Sequence, residues 1–210
     1  MPADPTMSQA SIAYYDQHAH VFCADTVRLD LQPLYARFLA HIPASGHILD
    51  AGCGSGRDIR AFLNRGYAVT AFDASPALAA QASAYSGLPV QVLRFQDMDW
   101  QQCFDGIWAC ASLLHVPLRE LPNILHRLAV ALKPGGILYA SFKYGDGERQ
   151  HRDRHFTDLD ETGLADVLRA VPDFTALETW MTGDRRPERA DEPWLNTLLR
   201  VSPHFHSAAN

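Results

Sequence analysis

The chain of 210 residues carries a formal net charge of −6, with 47% hydrophobic and 20% charged residues, a balance that fits one α/β domain with a sizeable core. It offers no overall basic field for nucleic acid or an anionic membrane, and no apolar run approaches the roughly 18 residues that cross a bilayer. Cys23, Cys53, Cys103 and Cys110 form no CxxC pair and no zinc-like spacing with histidine. No metal site is therefore expected, and all four read as small buried thiols of a cytoplasmic protein.

The opening "MPADPTMSQA" has neither the basic nor the apolar region of a secretory signal, so none is expected. Residues 8 to about 41 space apolar side chains at three and four, which predicts helices interrupted or restarted at Pro33. After the loop "PASG", short apolar runs alternate with amphipathic ones. "HILDA" is a predicted strand, and "RDIRAFLNRG" a helix closed by Gly66. "AVTAFDA" is the second strand; "SPALAAQASAYSG" is a helix with Ser75 as N-cap, Pro76 in its first turn and Gly87 near its end. "PVQVLRF", "FDGIWACAS" and "GGILYASFK" supply three more strands, with the helix "PLRELPNILHRLAVAL" before the last. "TDLDETGLADVLRAV" predicts a further helix capped by Thr157 or Asp158, and "FTALETWMTGD" and "WLNTLLRV" an antiparallel pair at one sheet edge. The alternation predicts a Rossmann-like three-layer sandwich: a seven-stranded, mostly parallel sheet with an antiparallel last strand and helices on both faces.

Gly52, Gly54 and Gly56 follow the first strand and open a helix. A strand, a glycine-rich turn and a helix bring backbone close to a ligand. The spacing is G-x-G-x-G, not the G-x-G-x-x-G of dinucleotide-binding enzymes, and no phosphate-cradling P-loop sequence is present. Asp50 before the glycines suits a cationic ligand better than a pyrophosphate. Asp73, ending the second strand, stands where nucleotide-binding α/β folds place an acid for ribose hydroxyls.

In this order, "ILDAGCGSGRD", "VTAFDAS", "RFQDMDW", "FDGIWACASLLHVP" and "LKPGGILYASF" resemble the successive motifs of class I S-adenosylmethionine-dependent methyltransferases. The nearest flavour is the small-molecule group with ubiquinone-biosynthesis and tellurite-resistance type enzymes. The resemblance implies S-adenosylmethionine as cofactor and S-adenosylhomocysteine as product. It places Ala51, Gly52, Cys53 and Gly54 against the methionine part, with Asp50 at its ammonium. Asp73 would bind the ribose, with Ala74 beside the adenine. Asp97, with Asp99 as competitor, would meet the adenine amino group, and Met98 would cover the ring. Cys110 and Ala111 would line the methionine side, Tyr14 and Tyr15 would fold over the cofactor, and Arg57 would reach the methionine carboxylate or cap the cleft.

A single domain over 1–210 follows: helices over 1–45 capping the cofactor, a binding core over 46–143, and a lid loop, helix and terminal hairpin over 144–210. His115, at the mouth, reads either as a general base or as a polar shoulder of the cleft. The loop 143–156, rich in arginine and histidine, reads as a lid for an anionic acceptor or as a solvated loop. Without an Asn/Asp-Pro-Pro-Tyr after the fourth strand, a small-molecule acceptor is expected rather than nucleic acid or membrane, in a monomer or homodimer. A non-catalytic binder of the cofactor and a nicotinamide-dependent oxidoreductase stand as the alternatives.

Overall fold

A computed structural model describes residues 6–202; the reading of the first residues as lacking a signal falls largely outside them. The helices are α1 (Thr6–Thr26), α2 (Gln32–Leu39), α3 (Arg57–Leu63), α4 (Pro76–Ser86), α5 (Leu121–Ala131) and α6 (Glu161–Arg169). The strands are β1 (His47–Ala51), β2 (Ala68–Asp73), β3 (Gln91–Val92), β4 (Phe104–Ala109), β5 (Leu132–Lys143), β6 (Gly147–His151), β7 (Arg154–Asp158), β8 (Phe174–Gly183) and β9 (Pro193–Val201). Seven of them form one sheet in the order β3-β2-β1-β4-β5-β9-β8. β9 alone runs antiparallel to its neighbours β5 and β8, and the remaining pairings are parallel. This is the Rossmann-like sheet the sequence predicts.

Side chains alternate across the sheet with the period of two that a strand imposes. Leu49, Ile107, Leu138 and Leu199 enter one core with α5 and α6. Ile48, Trp108, Tyr139 and Leu198 enter the other, with Phe38 of α2 and Ile59 and Phe62 of α3. Residues Asp30 to Pro33 restart the helix after α1: the Asp30 carboxylate accepts the Gln32 amide at 2.8 Å, and Pro33 stands in the first turn of α2. In α4, Ser75 caps the Leu78 amide at 3.2 Å, and Gly87 ends the helix in the left-handed region.

Three expectations are corrected. Residues 143–156 do not form an open loop: β6 and β7 pair antiparallel as a two-stranded sheet of their own, joined by Arg152 and Asp153, both at positive φ. This two-residue turn normally favours Asn-Gly, so a pair of charged residues gave no signal for it. As a result, α6 begins only at Glu161, where Asp160 accepts the Gly163 amide at 2.7 Å, and neither Thr157 nor Asp158 caps it. The third strand shortens to Gln91–Val92, whose two residues are exposed at the sheet edge. Among the described residues no helix is long and apolar enough to cross a membrane.

Gly56 shows how tightly the layers meet. Its φ is 76°, and a Cβ there would stand 2.9 Å from the Ala82 backbone of α4. Gly66 has a φ of 83° with nothing within 4 Å. Gly56→Ala is expected to lower the unfolding free energy by about 2–4 kcal/mol, and Gly66→Ala by about 1 kcal/mol. Urea denaturation of both variants checks the contrast, since equal losses would mean that α4 yields freely.

Candidate active site

The carboxyl ends of β1, β2, β4 and β5 open into a cavity of about 570 Å³ partly covered by α1. It lies where the strand order reverses between β1 and β4, the usual ligand crevice of open α/β sheets. The glycine turn forms its floor. The Gly52 and Cys53 amides both donate to the Phe72 carbonyl at 3.0 Å, and the Gly54 amide donates to Asp73 Oδ2 at 2.9 Å. These donors are engaged within the protein, so the turn is not an open cradle for a pyrophosphate. A Cβ on Gly52 would fall 2.5 Å from the Ser112 Cβ, and one on Gly54 would meet the Phe22 ring at 3.0 Å. Positive φ at each position fits the same requirement.

Below and beside the turn sit three acids. Asp50 is 1% exposed, and its Oδ2 is buried without a hydrogen-bond partner. Burial, with repulsion from Asp58 and Asp73, pushes its carboxyl well above the usual range. Asp58 is also buried, but the adjacent Arg57 guanidinium and hydrogen bonds from Arg57, Tyr35 and Trp108 outweigh burial and hold it low. Arg57 grips it through Nε at 2.7 Å and Nη2 at 2.9 Å, and Trp108 Nε1 donates at 2.8 Å. Arg57 Nη1 also donates to the Thr26 carbonyl at 3.3 Å, tying the end of α1 to the turn. Asp73 accepts the Gly54 and Ser75 amides, each at 2.9 Å, yet burial still pushes it up to about 6.

At the mouth, His115 Nδ1 lies 2.7 Å from the His155 carbonyl, which can only accept, so Nδ1 carries the proton. Nε2 therefore accepts from the Tyr15 hydroxyl at 2.8 Å. Arg154 Nη1 in turn donates to the Tyr15 oxygen at 3.3 Å. Burial lowers His115 to about 4, which keeps it neutral near pH 7. Burial likewise raises Tyr15 against the opposing pull of Arg154.

The cavity wall brings together Tyr15, Gly52, Cys53, Gly54, Arg57, Asp73, Ala74, Cys110, Ala111 and His115. Five other candidates do not line it. Tyr14 stacks on His18 at 4.2 Å between ring centroids. Asp50 lies beneath the floor, and the Ala51 carbonyl accepts the Ser112 hydroxyl at 2.6 Å. A short 3-10 turn over Phe95–Asp97 carries Asp97 outward, where Arg94 clamps it at 2.7 and 3.0 Å, while Met98 turns into the core at 4% exposure. Phe95 and Gln96 face the cavity in their place. Of the four thiols only Cys53 is buried; the others are partly exposed.

Sequence reasoning missed Asp58, Tyr35 and Trp108, whose network assembles only in space. It also missed Asp16, which accepts the Ser75 hydroxyl and, at 3.0 Å, the Ala77 amide. An acid on a helix, directly after Tyr15, carried no signal of such reach.

Residues 48–136 match the family model described as a methyltransferase domain. The fold is similar to that of the Burkholderia thailandensis 1,6-didemethyltoxoflavin-N1-methyltransferase, solved with 1,6-didemethyltoxoflavin and S-adenosylhomocysteine bound. The TM-score is 0.76 at 25% identity, over 96% of this chain and 92% of that one. Residues 48–136 are a methyltransferase domain of the S-adenosylmethionine-dependent kind. The magnesium protoporphyrin IX methyltransferase of Synechocystis PCC 6803, solved with its S-adenosylmethionine, shares this methyltransferase fold at a TM-score of 0.71 and 17% identity, covering 96% of this chain and 100% of that one. A methyltransferase from Methanosarcina mazei does so at 0.72 and 20% identity, covering 83% and 99%. No curated protein matches the sequence.

The partly buried His115 sets a pH signature. The unfolded chain protonates His115 near 6.5 and the folded chain only near 4, so between those values the unfolded state binds more protons. Native stability carried by the neutral ring thus falls as pH drops through that window. Asp73 acts oppositely, because its raised value favours the folded state at low pH. Comparison with His115→Gln isolates the histidine: relative to wild type, the variant should gain about 2 kcal/mol between pH 7 and pH 4.5. Urea titrations at both pH values measure it, and a difference independent of pH would contradict the neutral, partly buried ring.

Proposed function

We propose that the cleft binds S-adenosylmethionine on its acidic floor and transfers the methyl group to a small-molecule acceptor held at the mouth. The observation that carries this reading is the buried, unpartnered Oδ2 of Asp50 beneath a glycine turn whose amides are already engaged. A cationic ligand fits such a floor, since it relieves the repulsion among Asp50, Asp58 and Asp73 that burial intensifies. When bound, the cofactor supplies a methyl group on a sulfonium, which a nucleophile displaces in line.

The chain's own residues then position and shield. Asp50 counters the ammonium charge from beneath the floor, and Gly52 to Gly54 with Cys110 and Ala111 enclose the methionine part. Asp73 offers the ribose its remaining acceptor capacity, with Ala74 beside the adenine. Phe95 and Gln96 take the adenine edge that sequence alone assigned to Asp97 and Met98. Arg57 closes the cleft through Thr26 rather than reaching the methionine carboxylate, because Asp58 occupies its fork. His115 Nε2 accepts the Tyr15 hydroxyl and so orients the tyrosine at the mouth, where the acceptor sits. The His155 carbonyl keeps that nitrogen in the accepting tautomer, and Arg154 steadies the tyrosine oxygen. Positioning of acceptor and methyl in line supplies most of the rate.

Calorimetric titration with S-adenosylhomocysteine tests the donor site. The wild-type protein should bind it, and Asp73→Ala should weaken binding at least tenfold, the loss expected for hydrogen bonds to a charged group. Absence of binding to the folded wild-type protein would overturn the reading.

A further inference from the structure

The mouth of the cleft has the opposite charge to its floor. Two segments remote in sequence bring cations to the same cavity: the β6–β7 hairpin with Arg149 and Arg154, and residues 184–192 with Arg185, Arg186 and Arg189. The acids of the rim are already engaged. Asp158 pairs with Arg149, Asp184 with Arg186 and Lys143, and Glu192 with Lys143. Among the described residues no carboxylate lies within ion-pair distance of Arg154, Arg185 or Arg189.

This arrangement is built rather than fluid. The Asp184 side chain is 4% exposed. It accepts the Arg186 amide at 2.9 Å, the Arg186 guanidinium at 2.9 and 2.6 Å, and Trp194 Nε1 at 3.1 Å. Those bonds pin the segment from which Arg185 and Arg189 reach the cavity. Arg154 lies 4.5 Å over the Tyr14 ring and 5.1 Å over the Phe156 ring, so its guanidinium is held in place before any ligand arrives. Its Nε is shielded from solvent and has no hydrogen-bond partner. Guanidinium groups without an ion-paired acid raise the positive potential of the cavity they line, and an anion bound there would answer it.

Resting on the donor reading above, we propose that the acceptor is an anion, a small molecule bearing a carboxylate or phosphate group held at the mouth by Arg154, Arg185 and Arg189. Its planar-fork donors suit either oxyanion. The cleft then pairs a cationic donor over the acids with an anionic acceptor under the arginines, which orients the two before reaction.

The test titrates the protein, loaded with S-adenosylhomocysteine and in parallel unloaded, with 4-hydroxybenzoate, phenyl phosphate and the neutral 4-hydroxybenzamide. At least one anion should bind tenfold or more tightly than the amide, with affinity falling as salt rises, and the tighter of the two separates carboxylate from phosphate. Arg185→Gln combined with Arg189→Gln should weaken that anion at least fivefold while S-adenosylhomocysteine affinity stays within twofold of wild type. Arg154→Gln should weaken it as well. Equal binding of charged and neutral probes, or full anion affinity in the double variant, overturns the proposal. If S-adenosylhomocysteine itself fails to bind, the donor reading falls separately, and the unloaded titration still decides the mouth.

Discussion

The cleft depends on a steric constraint: three backbone positions in one turn where no side chain fits. Ser112 after β4 presses on Gly52, Phe22 of α1 on Gly54, and the Ala82 backbone of α4 on Gly56. Each contact comes from a different element, so the turn is where the sheet, the covering helix and the flanking helix are brought into register. The left-handed backbone is a consequence of this crowding as much as of any ligand. A turn that served only to reverse the chain would not need all three.

Buried charge is organised around that turn in two ways. Asp58 is fully answered by Arg57, Tyr35 and Trp108, and this network joins α2, α3 and β4 beneath the cavity. Asp50, one turn away, is left with an unanswered oxygen. For a partnered buried carboxylate the attraction roughly offsets desolvation, whereas leaving one without its partner costs about 3–5 kcal/mol. Among the described residues the second arrangement occurs for one carboxylate, directly under the cavity floor, which is what distinguishes a site from a structural ion pair.

Much of the architecture was legible from period and punctuation. The strand–turn–helix at 47–63, the Ser75 cap with Pro76 and Gly87, and the antiparallel final pair all depend on local residue chemistry, which sequence displays directly. The β6–β7 hairpin was not legible, because Arg152 and Asp153 adopt positive φ without glycine and the charged run looks like a loop. Asp97 stands away from the cavity for a related reason: a single 3-10 turn rotates it outward, and the ion pair with Arg94 that holds it there is invisible in a motif. The Tyr15–His115 contact spans a separation of 100 residues, so both partners were named from sequence but not as a pair.

The position of β9 has a consequence for how the chain reaches this state. The last strand of the sheet in sequence lies between β5 and β8, with Leu195, Leu198 and Leu199 almost fully enclosed. During synthesis β5 must therefore wait with one long edge unpaired until residue 201 has left the ribosome. Open apolar edges of this kind recruit other chains. The nascent protein is consequently most vulnerable to aggregation late in its synthesis, when nearly all of the cleft's residues have already been made.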